Sequence, residues 1–287
     1  MLSWTVGRAK ITSIVESETP TSPRFMFKDM TKLDVLARVD KAPWLQPHFV
    51  SEDGYLLQKI QCLIVEIGDF TVAVDTCIGN DKERSNEQWS NLQGPFLQDL
   101  AAAGYPAESI THVVCTHLHV DHVGWNTKLV DGQWVPTFPN ARYLFVDAEF
   151  DHWEATESLF AGEDVFGDSV APIAEAGLDD RVAIDHRLSE NLYFQPTPGH
   201  TPGHISLVIE SEGQKAIITG DMTHNPMQIA DPDLSSSFDT DSDAARVTRR
   251  EVFPAWADGS TLIIGTHFGG PTAATMSPDG DGYRLNV

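Results

Sequence analysis

The segment Thr116-His117-Leu118-His119-Val120-Asp121-His122 places four side chains able to bind a metal ion within six residues, directly after the apolar run 112–115. In an extended backbone alternate residues share a face, so His117, His119 and Asp121 converge, and a turn at Asp121 brings His122 to a neighbouring position. A single histidine is ordinarily a hydrogen-bonded core residue. Four such groups in one short run point instead to a ligand set, and imidazole with carboxylate suits zinc, iron or manganese.

Three further candidates each follow a strand-like run: His200 after LYFQPTPG, Asp221 after KAIITG and His267 after TLIIGT. Ligands at several strand ends can meet in one crevice outside a sheet. Five histidines and two aspartates exceed what one four-coordinate ion requires, so two ions with open positions fit better. His200 and His204 are four residues apart, as on one helix face, but Pro198, Gly199, Pro202 and Gly203 forbid that helix. Only one of the pair is then a ligand, and His204, which leads into an apolar run, reads as structural or as a support for a ligand.

The elements that must position these groups are short. β-rich runs recur at 62–67, 70–74, 112–116, 142–146, 205–209, 215–219 and 261–266, and LYFQ reads as a further strand leading to Pro196. Helical patterns cover 94–103, with Pro95 near the start, and 242–257, where Asp or Ser of DPDLSSSFDTDSD can cap the helix. That Asp/Ser-rich stretch reads as a solvated loop, since the ligand spacing and glycine of a calcium loop are missing. Residues 24–55 mix Phe25, Phe27, Trp44 and Phe49 with Pro43 and Pro47, an irregular or partly helical arm whose aromatics read as core or dimer contacts. No repeat and no long Gly/Pro/Ser linker divides the 287 residues, so a single domain over 1–287 with an N-terminal arm of roughly 1–60 is expected.

Composition narrows the partners. With 42 acidic against 19 basic side chains the net charge is −23, which repels nucleic acid and anionic membranes and favours a small-molecule substrate. The first residues lack a basic start followed by an apolar run, and no stretch reaches membrane-spanning length, so a cytoplasmic protein is expected. Cys62, Cys77 and Cys115 form no even set, and Cys62 and Cys115 lie in apolar runs, so a disulfide framework is not expected. The arm leaves room for a homodimer.

HLHVDH, with His200 in TPGHTPGH, Asp221 in TGD and His267 in GTH, resembles the metallo-β-lactamase superfamily, in the same chain order over roughly residues 61–268. The resemblance implies an α+β fold, an αβ/βα four-layer sandwich of two mixed sheets flanked by helices, with a metal site at one edge. It implies that His117, His119 and His200 hold one divalent ion, that Asp121, His122 and His267 hold the other, and that Asp221 bridges them. Asp75, in AVDTC, matches an aspartate that orients a ligand histidine. Two departures stand out. Val123-Gly124-Trp125-Asn126 replaces a common Gly-Gly, and Asp75-Thr76-Cys77 replaces Asp-Thr-Gly. Neither removes a ligand; Trp125 reads as a pocket wall or as packing, and Cys77 as a core or loop residue.

The chemistry implied is hydrolysis by a water shared between two ions, zinc first, with manganese, cobalt or iron as substitutes. Asp121 and Asp221 take part, Asp121 moving a proton. His224 stands where similar lactonases carry a substrate-contacting tyrosine, and is expected to donate to an oxyanion or to make a buried structural bond. A lactone or other carboxylic ester is the expected substrate; a glyoxalase-II-like thioesterase and an organophosphate hydrolase share the ligands. A mononuclear iron sulfur dioxygenase is the reading from another class, separable by metal stoichiometry and oxygen uptake. A non-catalytic binding module would show a broken ligand set, and this one is complete.

Overall fold

A computed structural model of the chain describes residues 1–156 and 162–287. Its residues sort into two compact units, Met1–Glu16 with Ile60–Ile184 and Ser17–Lys59 with Asp185–Val287.

In chain order the first nine strands are β1 Ser3–Val6, β2 Ala9–Thr21, β3 Leu56–Ile67, β4 Phe70–Val74, β5 His112–Val114, β6 Thr127–Val130, β7 Gln133–Pro136, β8 Arg142–Val146 and β9 Asp179–Val182. The first unit carries a mixed sheet of order β1-β2-β3-β4-β5-β8-β9, with β4, β5, β8 and β9 parallel, and β6 and β7 form a separate hairpin. Alternate residues of β3 and its neighbours (Ile60, Cys62, Ile64, Ala73, Val113, Tyr143, Phe145) enter one core with Phe96 and Leu100 of helix Phe96–Ala102 and Phe150 and Trp153 of helix Asp147–Ala155. The intervening Leu63, Val65, Val72 and Val74 are buried as well, which is why these strands read as continuous rather than alternating apolar runs.

The second unit holds β10 Leu192–Pro196, β11 Ile205–Ser211, β12 Gln214–Ile218, β13 Leu262–Ile264, β14 Ala273–Asp279 and β15 Gly282–Asn286, hydrogen-bonded in that order. Only β12 and β13 are parallel; the other pairs are antiparallel. β10, β12 and β13 therefore point the same way, and the segments carrying His200, Asp221 and His267 leave the sheet at one end. Helix Ser242–Trp256 packs Val252, Phe253 and Trp256 against Val208, Ile217 and Ile263. Asp241 caps it by accepting from the N–H groups of Asp243 (3.1 Å) and Ala244 (2.9 Å).

The arm is more ordered than its composition suggests. Thr31 and Asp34 form a reciprocal cap on helix Lys32–Val39, and Phe27 and Phe49 are fully buried within the second unit. Its first 21 residues hold β1 and β2, paired as a hairpin. All three cysteines are free and buried, and burial pushes each thiol up. No helix among the described residues is long and apolar enough to cross a membrane.

Candidate functional site

In the first unit β4 and β5 are parallel neighbours, so Asp75, one residue past β4, and the segment from Cys115 onward emerge side by side, joined by the Asp75 N–H donating to the Val114 carbonyl (3.0 Å). The strand stops at Val114, two residues short of the expected β-rich run 112–116. After His119 the chain turns into a short helix, Val120–Val123, so Asp121 and His122 sit on a helical turn rather than an extended chain. The imidazoles still converge: ring centres of His117 lie 4.4 Å from His119 and 4.0 Å from His122. Asp121 Oδ1 is 3.6 Å from His122 Nε2.

What surrounds these rings fixes their orientation. Asp75 accepts from the Thr116 N–H (2.8 Å) and the Thr116 hydroxyl (3.0 Å), and its Oδ2 lies 3.0 Å from His122 Nδ1. With its proton given to Asp75, Thr116 Oγ1 is left to accept from His117 Nδ1 at 3.1 Å, which leaves the His117 Nε2 lone pair for a ligand. Buried Glu149 accepts from the Leu118 N–H (3.1 Å) and from Trp153 Nε1 (2.6 Å), while the Trp153 ring stands edge-on to His119.

The changed Gly-Gly and Asp-Thr-Gly positions meet one another. A Cβ on Gly124 would lie 1.7 Å from the Ile78 carbonyl oxygen, so the 77–79 and 124–125 backbones touch only because Gly124 has no side chain. Buried Glu16 ties the junction by accepting from the N–H groups of Ile78 (2.8 Å) and Gly79 (3.2 Å) and from Trp125 Nε1 (2.7 Å). Burial raises its carboxyl above the ordinary value. Trp125 stacks on Phe96 inside the core, the packing alternative rather than the pocket wall, and Cys77 is a buried loop residue.

In the second unit three imidazoles surround one carboxylate. Asp221 Oδ1 is 3.0 Å from His267 Nε2, and its Oδ2 is 3.5 Å from His200 Nε2 and 3.2 Å from His224 Nε2. His204 stands apart, using both ring nitrogens in bonds: Nε2 accepts from the Asp221 N–H (2.8 Å) and Nδ1 meets Thr197 Oγ1 (2.8 Å). It positions Asp221 from behind, as the Pro/Gly pattern around it implies. Asp239, inside the Asp/Ser-rich stretch, corrects the expectation of a wholly solvated loop. Its side chain is fully buried, with Oδ1 3.1 Å from His200 Nδ1. Burial pushes its carboxyl up, against the opposing pull of His224 and Arg249. No spacing rule marks it in the sequence.

These atoms fit a divalent cation. His267 Nδ1 must donate to the Lys59 carbonyl (2.7 Å), because a carbonyl only accepts, so neutral His267 turns a lone pair toward Asp221 Oδ1. Two lone pairs 3.0 Å apart repel unless a proton or a metal ion lies with them. Supplying protons to all of the rings would crowd several imidazolium charges into a buried place at a high desolvation cost. A cation accepted by nitrogen and oxygen lone pairs meets the need with neutral rings.

A family model described as the metallo-beta-lactamase superfamily matches residues 58–267. An N-acyl homoserine lactonase of Bacillus sp is 25% identical over 173 residues, covering 55% of this chain and 62% of the relative, so the chain spans about three fifths of that curated relative's length. Among solved structures, AidC, described as a dizinc quorum-quenching lactonase in complex with a product N-hexnoyl-L-homoserine, superposes with a TM-score of 0.79 at 21% identity, over 99% of this chain and 96% of that one. A hydrolase in the beta lactamase superfamily, AbOPH, gives 0.77 at 22% identity, over 99% and 95%.

Proposed function

The chain belongs to the metallo-β-lactamase superfamily and has its α+β sandwich fold, and from that premise we propose that it is a metal-dependent hydrolase acting on a lactone or other carboxylic ester through two divalent ions. In this reading the two units are parts of one domain over 1–287. His117, His119 and His200 hold one ion, Asp121, His122 and His267 the other, and Asp221 serves both. The observation that carries the proposal is the lone-pair side of His267 turned on Asp221, with His200 and His224 around the same carboxylate.

When bound, such ions would supply Lewis acidity, lowering the pKa of water from its bulk value toward roughly 7 and polarising an acceptor oxygen. The chain's own residues do the rest. His204 and the Lys59 carbonyl hold Asp221 and His267 in place, so neither reorganises when charge develops. Asp121 is partly exposed and is the group we assign to return a proton to the leaving oxygen. His224, neither of whose ring nitrogens makes a hydrogen bond among the described residues, is assigned to donate to the substrate oxyanion. Similarity to N-acyl homoserine lactonases supports the lactone, and zinc is the first choice of metal because a related structure is a dizinc enzyme. The net charge of −23 supports a small molecule rather than a nucleic acid as the partner.

The test is metal content by plasma mass spectrometry, paired with turnover of lactones, aryl esters and thioesters before and after chelation. About two ions per chain with chelator-sensitive lactone or ester turnover supports the proposal. Thioester turnover alone moves the substrate class, and a single iron with oxygen uptake and no hydrolysis overturns the reaction class.

A further inference from the structure

Resting on the reading of His200 as a metal ligand, we propose that Asp239 is the positioning residue for that ligand, and that residues 236–248 form the device that holds it. The same short segment grips the side chain and the backbone of the ligand loop. Asp239 Oδ1 lies 3.1 Å from His200 Nδ1. The Thr240 N–H donates to the His200 carbonyl (2.9 Å), the Asp241 N–H to the Gly199 carbonyl (2.9 Å), and the Thr248 hydroxyl to the Pro198 carbonyl (2.6 Å).

The grip has little play. Asp239 is itself fixed, because Oδ2 accepts from the Ser236 N–H at 2.9 Å and the side chain is fully buried. Ser237 is tied in turn to the Met26 carbonyl (2.8 Å). At Gly199, where φ is +129°, a Cβ would come within 2.3 Å of the Ala245 nitrogen, so the loop lies against the start of helix Ser242–Trp256 with no room for a side chain. A flip of the His200 ring breaks its contact with Asp239, and a shift of its backbone breaks the bonds from Thr240 and Asp241.

A carboxylate on Nδ1 keeps Nε2 as the lone-pair nitrogen and raises its basicity toward a metal. That is more than a structural hydrogen bond requires, since an amide oxygen would satisfy the same N–H. The distinction makes the role measurable.

The experiment uses the full chain, stripped of metal, titrated with zinc against a chromophoric chelator, with the melting temperature of each metal-free variant recorded alongside. Asp239→Asn preserves shape but has one acceptor oxygen for two donors, so keeping the Ser236 N–H bond turns its NH2 group on His200 Nδ1; it should weaken one of the zinc sites about 10- to 100-fold while the metal-free chain still melts cooperatively. Asp239→Ala should weaken it at least as much. Thr31→Ala removes the cap of helix Lys32–Val39, outside the 236–248 segment; it should lower the metal-free melting temperature while leaving zinc affinity within about twofold. Cobalt(II) bound to Asp239→Asn should show altered visible bands from a displaced ligand.

Zinc affinity of Asp239→Asn within about twofold of the unmodified chain overturns the proposal. So does an equal loss in Thr31→Ala, or an Asp239→Asn chain that no longer melts cooperatively, since either assigns the effect to the fold. If the unmodified chain binds no zinc, the ligand reading of His200 fails first, an outcome distinct from all of these.

Discussion

Gly124→Ala isolates one steric fact. Gly124 has φ −58° and ψ −49°, ordinary right-handed helical values, so an alanine there meets no backbone penalty. On propensity alone the change should stabilise by up to about 1 kcal/mol. The structure demands the opposite sign, because the new methyl would lie 1.7 Å from the Ile78 oxygen and 2.0 Å from its carbonyl carbon. Opening that contact to van der Waals distance moves the backbone by more than an ångström. It breaks the bonds from Gly124 N–H to the Cys77 carbonyl (2.8 Å) and from Trp125 N–H to the Thr76 carbonyl (2.8 Å). Two such bonds contribute about 0.5–1.5 kcal/mol each, and overpacking adds about 1–3 kcal/mol. Together these give a loss of roughly 2–6 kcal/mol, which at about 2 °C per kcal/mol for a chain of this size lowers the melting temperature by on the order of 4–12 °C. The displacement reaches the ligands, since Thr76 N–H donates to the His122 carbonyl at 2.7 Å. Calorimetry of the metal-free chain and a zinc titration measure both effects. A melting temperature equal to or above that of the unmodified chain, with zinc binding intact, would refute the close approach of these two loops.

Zinc added to the stripped chain should raise its melting temperature saturably, by about 2.7 kcal/mol of stabilisation at a hundredfold excess over the dissociation constant; an unchanged melt counts against both half-sites. Asp75→Asn keeps the left-handed backbone at φ +54°, which Asn tolerates, but weakens the hold on Thr116 and His122. Its zinc affinity should fall about 10- to 100-fold, read by chelator competition. Lys82 is fully buried against Thr127, Asp168 and the Trp134 ring, and burial lowers its pKa from 10.5 to about 8. Below about 8 it is charged in both states; between about 8 and 10.5 the unfolded chain holds the extra proton, so unfolding becomes harder as pH rises. Urea midpoints should therefore show the unmodified chain gaining up to about 3 kcal/mol on Lys82→Met across that window, and parallel profiles would contradict the lowering of the Lys82 pKa.

The parts of the fold legible in the sequence are those where one physical signal acts alone. β4 (FTVAV) and β8 (RYLFV) are runs rich in β-branched and aromatic residues between turn residues, and their limits match the sequence pattern at both ends. The seven candidate ligands are legible because each follows a strand, and in a mixed sheet strand ends are where side chains leave the core. The β1–β2 hairpin is not, because IVESETPT in β2 is polar toward its end and looks like an irregular arm. Helix 120–123 is hidden for another reason: four residues are too few for a period, and β-branched valines flank its two ligands. Asp239 is hidden most completely. Its 39-residue separation from His200 carries no pattern, and its meaning arises only when the segment after it folds back on the ligand loop.

The ring nitrogens themselves separate a metal site from a set of buried structural histidines. His204 shows what a structural histidine does here: Nδ1 meets Thr197 and Nε2 accepts from a backbone N–H, so both nitrogens are spent on the fold. Four of the five proposed imidazole ligands follow a different rule. Nδ1 of His117, His122, His200 and His267 lies 3.1, 3.0, 3.1 and 2.7 Å from an oxygen of Thr116, Asp75, Asp239 and Lys59 respectively. The four supports are a hydroxyl, two carboxylates and a backbone carbonyl, drawn from unrelated stretches of chain, yet they act on the same ring atom. Where that contact is a hydrogen bond, at His117, His200 and His267, it directs Nε2, rather than Nδ1, to the ligand side. A core histidine gains nothing from such agreement, because either nitrogen can make a buried bond. A metal centre does, because every ring must present a lone pair, and the same tautomer, before the ion arrives.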